Sequence, residues 1–218
     1  MAQDKILEAM SGANDNGLAA ACRALRRADK RLAEVIDAVG PCTLKPGKPD
    51  FTFLVDVIVG QQISTKAAAT ISARLKRLFK GGRPTAKGFL DIPKEDVLSV
   101  GVSGQKYGYI LDLAQRMDSR KLRLASLSKM GDSEVREKLT EVKGIGNWTA
   151  DMFLLFGLGR PDVFPLHDFA LRKAMASVYD VPVEDHGALL RIASRWAPYR
   201  SVGTWYMYRT LQPDDGRP

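Results

Sequence analysis

Cysteine is nearly absent: Cys22 and Cys42 are the only two in 218 residues, and neither belongs to a CxxC or a histidine cluster. That excludes a disulfide scaffold, a zinc finger and a four-cysteine iron–sulfur site, and favours two reduced, largely buried thiols. Long apolar runs are missing too, so nothing reaches the roughly eighteen residues that a membrane span needs. The opening MAQDKILEAMSGANDNG lacks the basic start and apolar stretch of a secretory leader. The expected location is the cytoplasm, or a nucleus where the source has one, with no membrane partner. Acidic residues are in deficit, 25 against 33 Lys and Arg, giving a net charge of +8 and a pI near 9.5. A basic excess favours polyanion partners through counterion release, but many basic soluble proteins bind no nucleic acid.

What is present is a core and a helical pattern. Apolar residues make up 45% of the chain, enough to exclude wholesale disorder. Spacings of three and four predict helices over 18–33, a short one ending at Gly40-Pro41, then 51–60, 65–79, 87–90, 94–100 and 104–117. Later helices are predicted over 132–140, 147–156, 168–179, 184–196 and 200–211. No stretch alternates convincingly as a strand, so the expected class is all-α. The 65–79 helix carries Lys66, Arg74, Lys76 and Arg77, with Lys80 just beyond, a run that suits either a solvated face or a phosphate-facing one.

The most informative stretch is Leu139-Thr140-Glu141-Val142-Lys143-Gly144-Ile145-Gly146-Asn147-Trp148-Thr149-Ala150. One helix ends at Thr140, a Gly-Ile-Gly turn follows, and a second helix starts at Asn147. Such a turn points backbone N–H groups outward, and the next helix adds its unpaired donors and positive dipole end. The result is a clamp for phosphate that ignores base sequence. Ile145 would plug the tip onto its own core; Lys143 would either touch phosphate or be merely solvated. A dinucleotide fingerprint is excluded, because the sixth position is Thr149 and the preceding segment is helical. An ordinary glycine-turned helical hairpin remains open on these residues alone. Beyond it comes Gly159-Arg160-Pro161-Asp162-Val163-Phe164-Pro165-Leu166-His167-Asp168-Phe169. Asp168 stands at a helix start, where capping is a frequent role for aspartate.

Together, residues 139–173 resemble the helix-hairpin-helix, Gly/Pro-rich loop and aspartate of the helix-hairpin-helix DNA glycosylase superfamily, in particular its 3-methyladenine glycosylase II members. The likeness extends to Leu54-Val55-Asp56-Val57-Ile58-Val59-Gly60-Gln61-Gln62-Ile63-Ser64, similar to the family's wedge loop. It also takes in Trp196-Ala197-Pro198-Tyr199-Arg200-Ser201 and Trp205-Tyr206, similar to its C-terminal helix, so matches run over about residues 50–213. The resemblance implies that Asp168 is the catalytic carboxylate. It implies that Lys143, Gly144, Ile145, Gly146 and Thr149 hold a phosphate, with a Na+ or K+ ion on the main-chain carbonyls of Thr140, Val142 and Ile145. Gln62, or its neighbours Gln61, Ile63 and Ser64, would fill the gap left by an everted base, although an amide capping the preceding helix is the plainer role. Trp148, Trp205, Tyr206 and Met152 would line the base pocket, where electron-rich rings attract a cationic alkylated purine; aromatic residues at helical spacing are also ordinary core.

The implied chemistry is hydrolysis of an N-glycosidic bond in double-stranded DNA after base flipping. An alkylated base departs neutral, which leaves a sugar with oxocarbenium character for Asp168 to stabilise or for a water to attack. The family's bifunctional members carry a lysine where Trp148 stands, so an enzyme without lyase activity is expected. Two departures stand out: no pattern for an extra N-terminal β-domain, and His167 where an acidic residue often precedes the aspartate. The expected arrangement is two helical lobes flanking a DNA-binding cleft, residues 1–45 with 166–218 and residues 46–165. A monomer with no required cofactor and no obligate protein partner is expected. The competing readings are a non-catalytic DNA-binding module and a glycosylase for oxidised, deaminated or mismatched bases.

Overall fold

The computed structural model describes residues 15–211, and every regular element among them is helical. In chain order these are α1 (Asp15–Ala28), α2 (Lys30–Val39), α3 (Phe51–Gly60), α4 (Thr65–Arg77), α5 (Ala86–Leu90), α6 (Lys94–Ser99) and α7 (Gly104–Asp118). They continue with α8 (Leu124–Leu127), α9 (Asp132–Thr140), α10 (Asn147–Met152), α11 (Phe169–Tyr179), α12 (His186–Ser194) and α13 (Arg200–Arg209). The chain divides into two compact units. A terminal unit joins the described residues up to Pro46 with those from Gly159 on, and a central unit comprises Gly47–Leu158.

The central unit is organised by α3, whose Leu54, Val55, Ile58 and Val59 are all buried. Apolar on nearly every side, such a helix is stable only when surrounded, and α4, α7 and α10 pack against it. Its neighbours start where short polar side chains take orphan amides: Asp50 for α3, Ser64 for α4, Thr85 for α5 and Ser103 for α7. After Met152 the helix of α10 widens, and Phe153–Gly157 forms a single π-type turn with Leu158 N–H bonded to Phe153 O at 2.8 Å.

In the terminal unit α1, α2, α11, α12 and α13 enclose Leu25, Leu32, Ile36, Met175, Leu189, Trp196 and Tyr206. Each fully buried side chain of this size contributes roughly 1.5–3 kcal/mol of transfer free energy. Helix α13 approaches Trp196 so closely that a Cβ on Gly203 would lie 2.6 Å from the indole. The helix predicted over 18–33 is interrupted. Asp29, only 3% exposed, leaves helical geometry and caps α2 by accepting the Leu32 N–H at 3.1 Å. Its other oxygen accepts the Trp196 indole N–H and faces Arg195, both at 3.2 Å. Periodicity cannot show this break, because the partners that compensate the buried carboxylate come from the far end of the chain.

The second boundary between the units also differs from expectation. Residues 159–165 belong with the terminal unit, because α13 holds them. Ser201 Oγ donates to Arg160 O at 2.6 Å and accepts the Val163 N–H at 2.9 Å, while Ser201 N–H donates to Pro161 O at 3.0 Å. Arg200 grips Asp162 with two guanidinium bonds of 2.7 and 2.8 Å and adds its own N–H at 3.1 Å.

Candidate active site

The central unit contributes the hairpin between α9 and α10. Gly144 has φ +79°, and a Cβ there would overlap the Tyr109 ring of α7. Only glycine satisfies both conditions. Gly146 differs: its φ is −100°, and a Cβ would meet no protein atom within 4 Å. The first glycine therefore makes the turn, and the second keeps an exposed approach clear ahead of the N-terminal amides of α10. Ile145 is 4% exposed and seats the tip in the core, as its position in the turn predicts. Lys143 is exposed, and its backbone N–H donates to Asp112 Oδ2 at 2.8 Å, an oxygen that also receives Arg116 Nε at 2.9 Å.

The wedge segment is tied directly to this hairpin. Gln61 Nε2 donates to Gly144 O at 3.0 Å and to Thr149 Oγ1 at 3.1 Å. Lys106 of α7 caps the same region, its ammonium bonded to Val59 O at 2.8 Å and Gln61 O at 2.7 Å, with burial lowering its pKa. Lysine at the C-terminal end of α3 also complements the helix dipole. Three of the expected site residues have partners within the protein. Gln61 is a strut between two motifs. Ser64 is the cap of α4 through its bond from Ala67 N–H at 3.3 Å. Thr149, 1% exposed, keeps its hydroxyl inside, where it accepts from Gln61. Gln62 and Ile63 remain outward, Gln62 with a left-handed φ of +57° and Ile63 37% exposed. On α10, Trp148 is half-buried and Met152, one turn later, is 7% exposed. Of the basic run near α4, Lys66, Arg74, Arg77 and Lys80 are exposed, whereas Lys76 pairs with Asp56 at 2.7 Å.

The terminal unit contributes the carboxylate. Asp168 is 9% exposed and is the N-cap of α11, its Oδ1 accepting the Leu171 N–H at 2.7 Å. Capping and a catalytic role are compatible, since the cap fixes the carboxylate's direction. The loop before it is anchored to α13 through Asp162, Arg160 and Val163, so the Arg200-Ser201 pair positions the strand of chain that delivers Asp168. On either side His167 is exposed, and Phe169 is 60% exposed with the Arg172 guanidinium 5.6 Å from its ring centre. Phe169 is absent from the predicted pocket; its signal was an apolar residue at the first position of a capped helix, on a side that periodicity assigns to solvent.

Trp205 is half-buried, edge-on to Tyr206 at 4.9 Å, with Arg209 5.7 Å from its ring centre. Tyr206 packs into the core of the terminal unit. It is fully buried, its hydroxyl donates to Gly40 O at 2.9 Å, and it lies 3.2 Å from Cys22 Sγ. Each unit thus brings its own predicted residues together: the hairpin with the wedge segment in one, the carboxylate loop with α13 in the other.

The HhH-GPD superfamily of base excision DNA repair proteins matches residues 55–198, a span that takes in the wedge segment, the hairpin and the carboxylate loop. The chain is 28% identical over 189 residues to DNA-3-methyladenine glycosylase 1 of Schizosaccharomyces pombe, covering 85% of this chain and 83% of that protein. Its fold is similar to that of an S. pombe 3-methyladenine DNA glycosylase solved with abasic DNA, with a TM-score of 0.78 at 25% identity over 98% of this chain and 100% of the other. A DNA-3-methyladenine glycosidase from Bacillus halodurans gives a TM-score of 0.74 at 30% identity, over 92% and 90% of the two chains. With the matched span covering more than half its length, this chain belongs to the HhH-GPD superfamily of base excision DNA repair proteins.

Proposed function

We propose that this protein is a DNA glycosylase of base excision repair that hydrolyses the N-glycosidic bond of alkylated purines of the 3-methyladenine and 7-methylguanine type. The observation that carries the reading is Asp168. A nearly buried carboxylate is fixed as a helix cap at the end of a loop anchored by Arg200 and Ser201, in a chain whose other unit carries a phosphate-binding hairpin. A pure binding module has no use for a negative charge presented to a polyanion. The printed names of the three relatives given above, 3-methyladenine glycosylases and a 3-methyladenine glycosidase, support the substrate class.

The hairpin holds a phosphate through the main chain at Gly144 and Gly146 and the first amides of α10, which gives affinity without sequence preference. A Na+ or K+ ion on the carbonyls of Thr140, Val142 and Ile145 would add positive charge beside that phosphate. Uncharged oxygens suit an alkali ion, and Val142 O gives one lone pair to Ile145 N–H at 3.0 Å and keeps the other. Gln62, exposed at the turn after α3, enters the stack when the damaged nucleotide is everted, and Ile63 flanks it. In the terminal unit Trp205 and Phe169 offer aromatic surface to a cationic base, and in the central unit Trp148 does. As that base leaves neutral, the sugar gains positive character; the Asp168 carboxylate stabilises it and orients or deprotonates the attacking water. With Trp148 in place of a lysine no Schiff base forms, and the product is an intact abasic site.

Incubating duplexes that each carry one lesion with the protein, then heating in alkali, tests this reading. Strand breaks at 3-methyladenine or 7-methylguanine, appearing only after alkali and without a borohydride-trapped adduct, are expected. Breaks confined to oxidised, deaminated or mismatched bases would reassign the substrate, and no breaks on any lesion would favour the binding module.

A further inference from the structure

Cys22 on α1 and Cys42, in the irregular segment after α2, both line one cavity of about 630 Å³ in the terminal unit. They are not joined as a disulfide, and each is half-buried. Each thiol acts on the pKa of the other. The Tyr206 hydroxyl lies 3.2 Å from Cys22 Sγ and 2.9 Å from Gly40 O. Arg23, Arg26 and Asp37 stand on the same cavity wall, with Arg26 and Asp37 paired.

The surroundings divide the labour between the two sulfurs. Cys42 lowers the Cys22 pKa, Tyr206 and the Arg26 charge act in the same direction, and burial opposes them. Cys22, together with burial, raises the pKa of Cys42. The Tyr206 hydroxyl 3.2 Å from Cys22 Sγ and the Arg26 charge on the same wall favour Cys22 as the sulfur that ionises. Tyr206 has a single hydroxyl proton, which can go to Gly40 O while Cys22 is a thiol, or to Cys22 once it ionises. Excision chemistry at Asp168 uses none of these groups.

We propose that Cys22 and Cys42 form a redox-active dithiol that exchanges with low-molecular-weight disulfides admitted by this cavity, Cys22 attacking and Cys42 resolving. In the first step the Cys22 thiolate attacks one sulfur of R–S–S–R, forms a mixed disulfide and expels RS−, which takes up a proton. In the second step Cys42 loses its proton and attacks Cys22 Sγ, forming the Cys22–Cys42 bond and expelling the second RS−. Two protein thiols are oxidised by two electrons, and one small disulfide is reduced to two thiols. Cys42 can close the remaining gap because its backbone lies outside any helix. Arg23 and Arg26 at the wall favour an anionic disulfide such as oxidised glutathione. The new bond ties α1 to the segment after α2 and so restrains the unfolded chain.

The test incubates the reduced, folded full-length chain with oxidised glutathione, followed by acid quench, thiol alkylation and mass spectrometry. Wild type is expected to lose two hydrogens, to hold no lasting glutathione adduct and to melt several degrees higher once oxidised. Cys42→Ser is expected to accumulate a glutathione adduct at Cys22, and Cys22→Ser to react at Cys42 roughly tenfold more slowly. Circular dichroism of both reduced variants checks that they fold, and the wild-type result stands without them. A wild-type chain that stays reduced at the oxidising end, or that collects adducts on both thiols, overturns the proposal, as do equal reaction rates for the two variants.

Discussion

The hairpin of the central unit and the carboxylate loop of the terminal unit use backbone and side chain in opposite ways. At the hairpin two side chains turn inward, Ile145 into the core and Thr149 with its Oγ1 bonded to Gln61, while Lys143 stays exposed with its amide held by Asp112. What is left open is main chain at the exposed Gly146, where an added Cβ would meet no protein atom within 4 Å. In the loop the main chain is occupied, with Arg160 O, Pro161 O and Val163 N–H all bonded to Ser201. There a single side chain, Asp168, is presented at the end. Gripping a repetitive phosphate chain calls for donors without sequence preference, whereas bond cleavage calls for one charge in one place.

Replacing the two hairpin glycines sharpens the contrast most. Gly144→Ala has to hold a positive φ and displace Tyr109, so it is expected to cost about 3 kcal/mol or more in thermal or denaturant unfolding. Gly146→Ala should unfold within about 0.5 kcal/mol of wild type yet bind duplex DNA several-fold more weakly by fluorescence anisotropy. Equal effects of the two changes on folding would erase the distinction drawn between the glycines.

Arg200→Ala probes the other region. Losing both guanidinium bonds to Asp162 frees the loop, and single-turnover excision is expected to slow by roughly 10–100-fold with DNA affinity little changed. Next in size is Gln61→Ala, which leaves the Gly144 carbonyl and the Thr149 hydroxyl without their donor and should cost about 1–2 kcal/mol in stability. Gln62→Ala one residue later should leave stability alone and slow excision. Smallest is Tyr206→Phe, expected to lose about 1 kcal/mol of stability and no excision rate, whereas Trp205→Ala should lower the rate on alkylated substrate. A large rate defect in Tyr206→Phe would assign that tyrosine to the base pocket.

These contrasts also mark how far the sequence could be read. The helix starts at 51, 65 and 104 agree with those expected from periodicity, and the cap at Asp168 was legible because it is a local bond, three residues long. The hairpin was legible because glycine leaves its own signature in the chain. The interruption at Asp29 was not, since the carboxylate's reasons lie in Trp196 and Arg195. Gln61 and Gln62 are identical in sequence, and only the fold makes one a strut and the other an exposed side chain. Trp205 and Tyr206 are adjacent aromatics on one helix, and burial of Tyr206 against Gly40 and Cys22 separates them. Sequence places a side chain on an element; it does not say which distant atoms will meet it.

The most direct measurement pairs binding with single-turnover excision, on one duplex carrying an alkylated purine, for wild type and Asp168→Asn. Asparagine caps a helix as well as aspartate does, so the variant should melt like wild type and bind the duplex equally while excising roughly a thousandfold more slowly. Excision within a few-fold of wild type by a folded, DNA-bound Asp168→Asn protein would contradict the assignment of the chemistry to that carboxylate.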